Sequence, residues 1–279
     1  FKERLRPGCL VYVTFLPGSD FADTVATVRR LKDDGFNPVP HFAARSIPSA
    51  KFLEENLASL QGETGVTEGL LIGGVTKPVG DFGSSMEVLQ MGLFEKYGML
   101  KMGLAGHPEG SPDISPADCA LAIKEKNDFA KQTDMSLYLA TQFAFEAEPI
   151  FAWEREIRAA GNELPIHIGV PGLATIKTLI RHSAHCGIGA SVRFLTRNPM
   201  NMVKLGLKDS FLGKYVNAPS SEPSQLMRDL VTGMHNDPDC LISQCHLYPL
   251  GGLKKSAEWM YKVQDGEFEL NGKTFTVNS

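Results

Sequence analysis

The chain has 279 residues, 43% hydrophobic and 22% charged, with 28 Lys and Arg against 32 Asp and Glu for a formal net charge of −4. That length suits a single (β/α)8 barrel, typically ~250 residues, and buries a large core without disulfides. The slightly acidic balance, with no Lys/Arg block, excludes the basic stripe of a nucleic-acid binder, and no apolar run approaches the ~20 residues that span a bilayer.

Strand-like and helix-like segments alternate. Residues 9–15 (CLVYVTF) are rich in β-branched and aromatic side chains and stop at Pro17-Gly18. Residues 21–34 read as a helix from the spacing of Val25, Val28 and Leu31, capped by Asp20 and ended by Gly35. A strand at 38–42, a helix at 48–61 and a strand at 69–72 follow. A glycine-rich loop at 73–85 leads to a helix at 84–97 and a strand at 101–105. Ser115 caps a helix to about residue 131, with Pro116 in its first turn. Next come a strand at 136–143, a helix at 148–160 and a strand at 165–170. Helical segments are predicted at 173–186, 190–205 and 223–235, then a strand at 241–247 and a helix at 253–263. The tail, 268–277, alternates around Asn271-Gly272, a strong hairpin signal.

Alternating strands and helices with short links imply a parallel sheet. Length and uniform composition favour one (β/α)8 barrel domain over 1–279, with a hairpin-like tail, although only seven core strands are counted. No signal peptide opens the sequence. The five cysteines, Cys9, Cys119, Cys186, Cys240 and Cys245, are scattered and read as reduced thiols of a cytoplasmic protein.

Active-site residues of a barrel gather at the C-terminal ends of its strands. Thr14, His41, Gly74, His107, Glu109, Gln142, His246 and Tyr248 fall there. Pro40-His41 is either a ligand contact or a packed core histidine. The small residues of Ala105-Gly106-His107-Pro108-Glu109-Gly110 let a ligand approach the backbone, and His107 is either a donor to a phosphate or flavin oxygen or a loop histidine satisfied by backbone. Gln142 offers a donor and an acceptor, suited to a pterin edge, or else satisfies nearby loop backbone. The loop 73–85 lacks the GxxxxGK[ST] phosphate pattern and reads as a binding loop or a lid, with Asp81 its one carboxylate. Lys124 and Lys126 lie on the Ser115 helix, where lysines usually face solvent. Gly187-Ile188-Gly189 half-matches a dinucleotide fingerprint, but it follows a helix and lacks the third glycine. His182 and His185 lack the further ligands of a zinc site, so no metal is expected. No strand end carries the lysine of a Schiff-base aldolase.

In order and spacing these segments resemble the methylenetetrahydrofolate reductase family. The resemblance covers most of the chain. It rests on Val13-Thr14, Pro40-His41, Gly73-Gly74, His107-Pro108-Glu109, Lys126, Thr141-Gln142-Phe143 and Cys245-His246-Leu247-Tyr248. It implies reduction of 5,10-methylenetetrahydrofolate to 5-methyltetrahydrofolate with NAD(P)H. Thr14, His41, Gly74, Asp81, His107 and Lys126 would line the cofactor cleft. Gln142, with Phe145 and Tyr248, would contact the folate, and Glu109 is the candidate acid if the family's upstream Glu is absent. The chain departs from the family where Val75 stands for the Asp of a turn and Cys119 for a helical Asp beside Asp118. Those departures bear on FAD. The family's first strand, with its acidic Glu, has no counterpart before Thr14 and is expected upstream of Phe1. The remaining alternative is a non-redox folate-binding or methyl-transfer protein, and a homo-oligomer is left open.

Overall fold

The computed structural model describes residues 1–16, 18–74, 76–111, 114–175, 178–179, 181–182, 220–272 and 274–278. Seven strands are hydrogen-bonded side by side: β1 (Leu10–Val13), β2 (Asn37–Ala43), β3 (Glu68–Ile72), β4 (Lys101–Gly106), β5 (Ser136–Phe143), β6 (Ile166–Pro171) and, past two short strands, β9 (Ile242–Tyr248). These are the seven core strands expected from the sequence, each within a residue or two of its predicted ends. The β1–β2, β2–β3, β3–β4 and β6–β9 pairs are parallel. The chain is thus an α/β protein with strands and helices in alternation. It divides into two compact units, the first comprising 1–106, 120–140 and 161–165 and the second the remainder.

In the first unit, helices α1 (Phe21–Asp33) and α2 (Ala50–Thr64) follow β1 and β2. Asp20 accepts from the Ala22 N–H and Ser49 from the Phe52 N–H, which satisfies orphan donors at each helix start. The apolar stripe of α1 (Phe21, Val25, Val28, Leu31) is buried, as are Leu53, Leu57 and Leu60 of α2. Each fully buried leucine contributes about 1.5–3 kcal/mol of transfer free energy. Phe42 stacks on Phe21 at 5.7 Å and meets Phe94 edge-on at 5.1 Å. A second cluster joins Val39, Leu70, Tyr138 and Ala140 to the half-buried Leu10, Tyr12 and Ile72. Burial on both faces is what parallel strands require.

The helix expected at 84–97 is two short ones, α3 (Ser85–Leu89) and α4 (Leu93–Lys96). Gly92 separates them with a left-handed φ of 69°, a conformation glycine adopts without steric cost. Helix α5 (Pro116–Ala130) begins where predicted, with the Asp118 N–H donating to Ser115 Oγ.

In the second unit, α6 (Ala147–Ala159) precedes β6, and a short antiparallel pair, β7 (Ala174–Thr175) with β8 (Ser220–Ser221), follows it. A strand therefore stands where the predicted 173–186 helix begins. The Gly172 N–H donates to Tyr248 O at 2.7 Å, which holds the chain extended as it leaves β6. The helix predicted at 190–205 and the glycines at 187 and 189 lie outside the described residues. Helices α7 (Ser224–Asn236) and α8 (Leu253–Gln264) flank β9, and β10 (Phe268–Asn271) and β11 (Thr274–Val277) form the predicted hairpin. Phe275 seats it by stacking on Trp259 at 6.1 Å. Among the described residues no helix is long and apolar enough to cross a membrane.

Candidate functional site

The first unit brings Thr14, His41, Gly74 and Lys126 to the same end of four adjacent strands. Thr14 is exposed just past β1, and Val13 before it pairs with Pro40. His41, half-buried on β2, pairs with Leu70 and meets the Tyr12 ring edge-on at 5.7 Å. Gly74 turns the chain after β3 with φ +91°, and a Cβ there would come within 3.3 Å of the Ala43 Cβ. Asp81 is exposed in the following loop.

Lys126 departs from the usual fate of a helical lysine. It is only 3% exposed and its Nζ donates to the Ala105 carbonyl at 2.6 Å, near the end of β4. Lys124, two residues earlier, is exposed and pairs with Asp128 at 2.6 Å. One helix thus carries a solvated lysine and a buried one, and helical phase decides which is which.

Deeper in the first unit the Tyr12 and Tyr138 hydroxyls lie 3.0 Å apart. Burial pushes both phenols above their ordinary 10, Tyr138 the further, with its Tyr12 and Glu68 neighbours adding to the rise. Lys101 sits 4.9 Å from the Tyr138 ring centroid and 3.1 Å from its register partner Glu68. This network was not legible in the sequence, because it joins residues 126 positions apart.

In the second unit the end of β5 is braced from β9. The Thr141 carbonyl accepts from Tyr248 Oη at 3.1 Å and faces His246 Nε2 at 3.0 Å. A carbonyl can only accept, so the hydrogen bond places the proton on Nε2. The His246 and Tyr248 rings meet edge-on at 4.9 Å, and Phe143 packs edge-on to Tyr248 at 5.3 Å and to Phe145 at 5.8 Å. The Gly169 N–H donates to Thr141 Oγ1 at 3.0 Å. A Cβ on Gly169 would lie 2.6 Å from Gln142 backbone atoms, so glycine is what lets β6 approach. Gln142 itself, between these anchored neighbours, is exposed. His107, Pro108 and Glu109 form a half-buried turn after β4, closed by the Gly110 N–H on His107 O at 3.0 Å.

Burial lowers the His246 imidazole from its ordinary 6.5, the Thr141 carbonyl opposing, and raises the Cys245 thiol to about 11. Cys245 is accordingly an unreactive thiol at neutral pH.

One comparison with known proteins bears on function. Over 95 residues, 34% of this chain and 15% of the relative, the sequence is 28% identical to methylenetetrahydrofolate reductase 1 of Schizosaccharomyces pombe. The match therefore spans a small part of that protein, and it supports a relationship to the family without showing membership. No protein-family profile matches the chain. Among solved structures, FabI from Alistipes finegoldii aligns over 85% of this chain and 99% of its own at 13% identity, with a TM-score of 0.28 that carries no argument.

Two residues with evident roles were missed in the sequence. Thr141 anchors the strand end through both its hydroxyl and its carbonyl, but inside the TQF segment it draws less notice than Gln142. Arg45 lies in a single turn after β2, where nothing in the sequence separates it from an ordinary surface arginine. Among the described residues no group of His, Cys, Asp and Glu could hold a metal. His185 and Val75 lie outside the described residues, so the positions compared with a metal pair and with the family's turn Asp have no structural counterpart here.

Proposed function

We propose that this chain is a methylenetetrahydrofolate reductase-like oxidoreductase that moves hydride from NAD(P)H to the one-carbon unit of 5,10-methylenetetrahydrofolate, built on a TIM-type barrel. One observation carries the reading. Two segments of the resemblance, 141–143 and 245–248, meet through the paired contacts of His246 and Tyr248 on Thr141 O. Anchored neighbours with an exposed Gln142 between them suit a group that must orient a ligand without moving itself.

The flavin implied by the family fits these residues poorly. Lys126, the candidate for flavin phosphates, is buried with its ammonium on the Ala105 carbonyl. No step is assigned to flavin, and nicotinamide is taken as the direct hydride donor. Ring opening of the folate needs a proton near N10, and the hydride then adds to the resulting iminium. Gln142 would hold the pterin edge through one donor and one acceptor, Phe145 and Tyr248 would offer aromatic surface, and Glu109 would supply the proton. Within the first unit, Thr14, His41 and Gly74 would contact the nicotinamide.

The test is absorbance of NADH and of NADPH, each with methylenetetrahydrofolate, with and without added FAD. Folate-dependent oxidation without FAD is expected. No oxidation under any of these conditions would overturn the reading, and folate binding in its absence would point to a methyl carrier or folate-binding module instead.

A further inference from the structure

Arg45 fastens the glycine-rich loop at its beginning, middle and end. Its backbone N–H donates to Gly73 O at 3.0 Å, its Nη1 to Gly74 O at 3.2 Å and its Nε to Gly83 O at 3.0 Å, while its own carbonyl accepts from the Val79 N–H at 2.9 Å. The far end is held again by Glu87, whose Oε2 accepts from the Gly83 N–H at 2.6 Å and the Ser84 N–H at 3.2 Å. Gly80 packs so closely on the preceding segment that a Cβ would lie 2.1 Å from Pro48 O. Within the loop, the Thr76 hydroxyl oxygen is shielded from solvent with no hydrogen-bond partner among the described residues. All these groups belong to the first unit.

We propose that Arg45 is a positioning residue, which presets the loop after β3 as a fixed wall for nicotinamide bound by the first unit. The proposal rests on the oxidoreductase reading above. A guanidinium suits the task because its planar fork reaches two carbonyls at once, which a lysine ammonium on a flexible stem does not. A loop already ordered before ligand arrives loses little conformational freedom on binding, so the clamp acts on affinity. A lid, by contrast, would need loop carbonyls released from Arg45 in its open state.

The experiment compares the wild-type chain with Arg45→Lys and with Gly80→Ala, which disturbs the same loop without touching Arg45. Amide hydrogen exchange of residues 76–83 is read beside kcat and KM for NAD(P)H. Arg45→Lys is expected to exchange faster in that segment and to raise KM roughly tenfold, with kcat within about twofold, the pattern of lost uniform binding. Gly80→Ala, which loosens the loop by another route, is expected to raise KM in proportion to its own gain in exchange. Should Arg45→Lys not fold, Arg45→Gln, which keeps one side-chain donor, carries the test. Unchanged exchange overturns the clamp, and faster exchange with unchanged KM overturns its role in binding. If the wild type shows no turnover, the oxidoreductase reading fails by itself. Titration by NADPH fluorescence then still decides the clamp's role, with weaker binding in the variants supporting it. A wild type that neither turns over nor binds nucleotide removes both.

Discussion

Gln142 is the residue on which the functional reading turns. Its neighbours are fixed, its own side chain is exposed, and its amide offers complementary hydrogen-bonding atoms. Gln142→Met keeps the length of the side chain and removes both polar amide atoms. It is expected to lower kcat/KM for methylenetetrahydrofolate roughly 10- to 100-fold, the loss of one or two ligand hydrogen bonds, with the melting temperature unchanged. Steady-state kinetics check this, and an unaltered kcat/KM would take Gln142 out of the site. His246 makes a separate prediction through pH. Its imidazole lies below the ordinary 6.5 because it is buried. As pH falls, the unfolded chain therefore takes up that proton before the folded one does. The stability contributed by neutral His246 is complete above about pH 6.5 and is lost as pH drops through the lower folded-state value. Urea midpoints should fall on acidification in the wild type and fall less in His246→Gln, and parallel curves would show that His246 contributes no such term.

Between elements, contact is set by glycines and by buried amides. Gly103 on β4 and Gly169 on β6 both lack room for a Cβ, but for different reasons. At Gly103 the obstacle is the Tyr138 ring at 2.6 Å and a Leu70 methyl at 2.7 Å, side chains with some freedom to yield. At Gly169 it is Gln142 backbone at 2.6 Å, which cannot yield without shifting β5. Gly103→Ala is expected to cost about 1–3 kcal/mol by overpacking. Gly169→Ala should cost more and also lower activity, because it displaces the strand end that bears Gln142. Chemical denaturation and kinetics on the two variants check the order. A second device is the pair Asn127–Asn162, both buried. Asn127 Nδ2 donates to Asn162 Oδ1 at 2.9 Å and its Oδ1 accepts from the Glu163 N–H at 2.9 Å, while Asn162 donates to Leu164 O at 3.0 Å. These bonds tie helix α5 to the segment leading into β6. Asn127→Ala leaves the Glu163 N–H and the Asn162 carbonyl unmatched and is expected to lower stability by about 1–3 kcal/mol, measured by urea unfolding.

At the scale of the whole molecule, the purified chain is expected to be colourless and its turnover insensitive to added FAD, since Lys126 is buried and its ammonium donates to Ala105 O. Visible absorbance of the purified protein checks this, and a bound flavin spectrum would reverse it. The sequence alone determined the succession of strands and helices, because periodicity, capping residues and glycine stops are local: Asp20, Ser115 and Asn271-Gly272 act within a few positions. It also placed His41, Gln142 and Tyr248 near strand ends. It did not separate buried Lys126 from exposed Lys124, since both follow the same helical composition. Nor did it foresee the Gly92 break, the β7 strand, the Tyr12–Tyr138 contact or the Arg45 clamp. The last two depend on what a side chain meets from a distant part of the chain, and only the tertiary structure sets which donor finds which carbonyl and which strand has room for a Cβ.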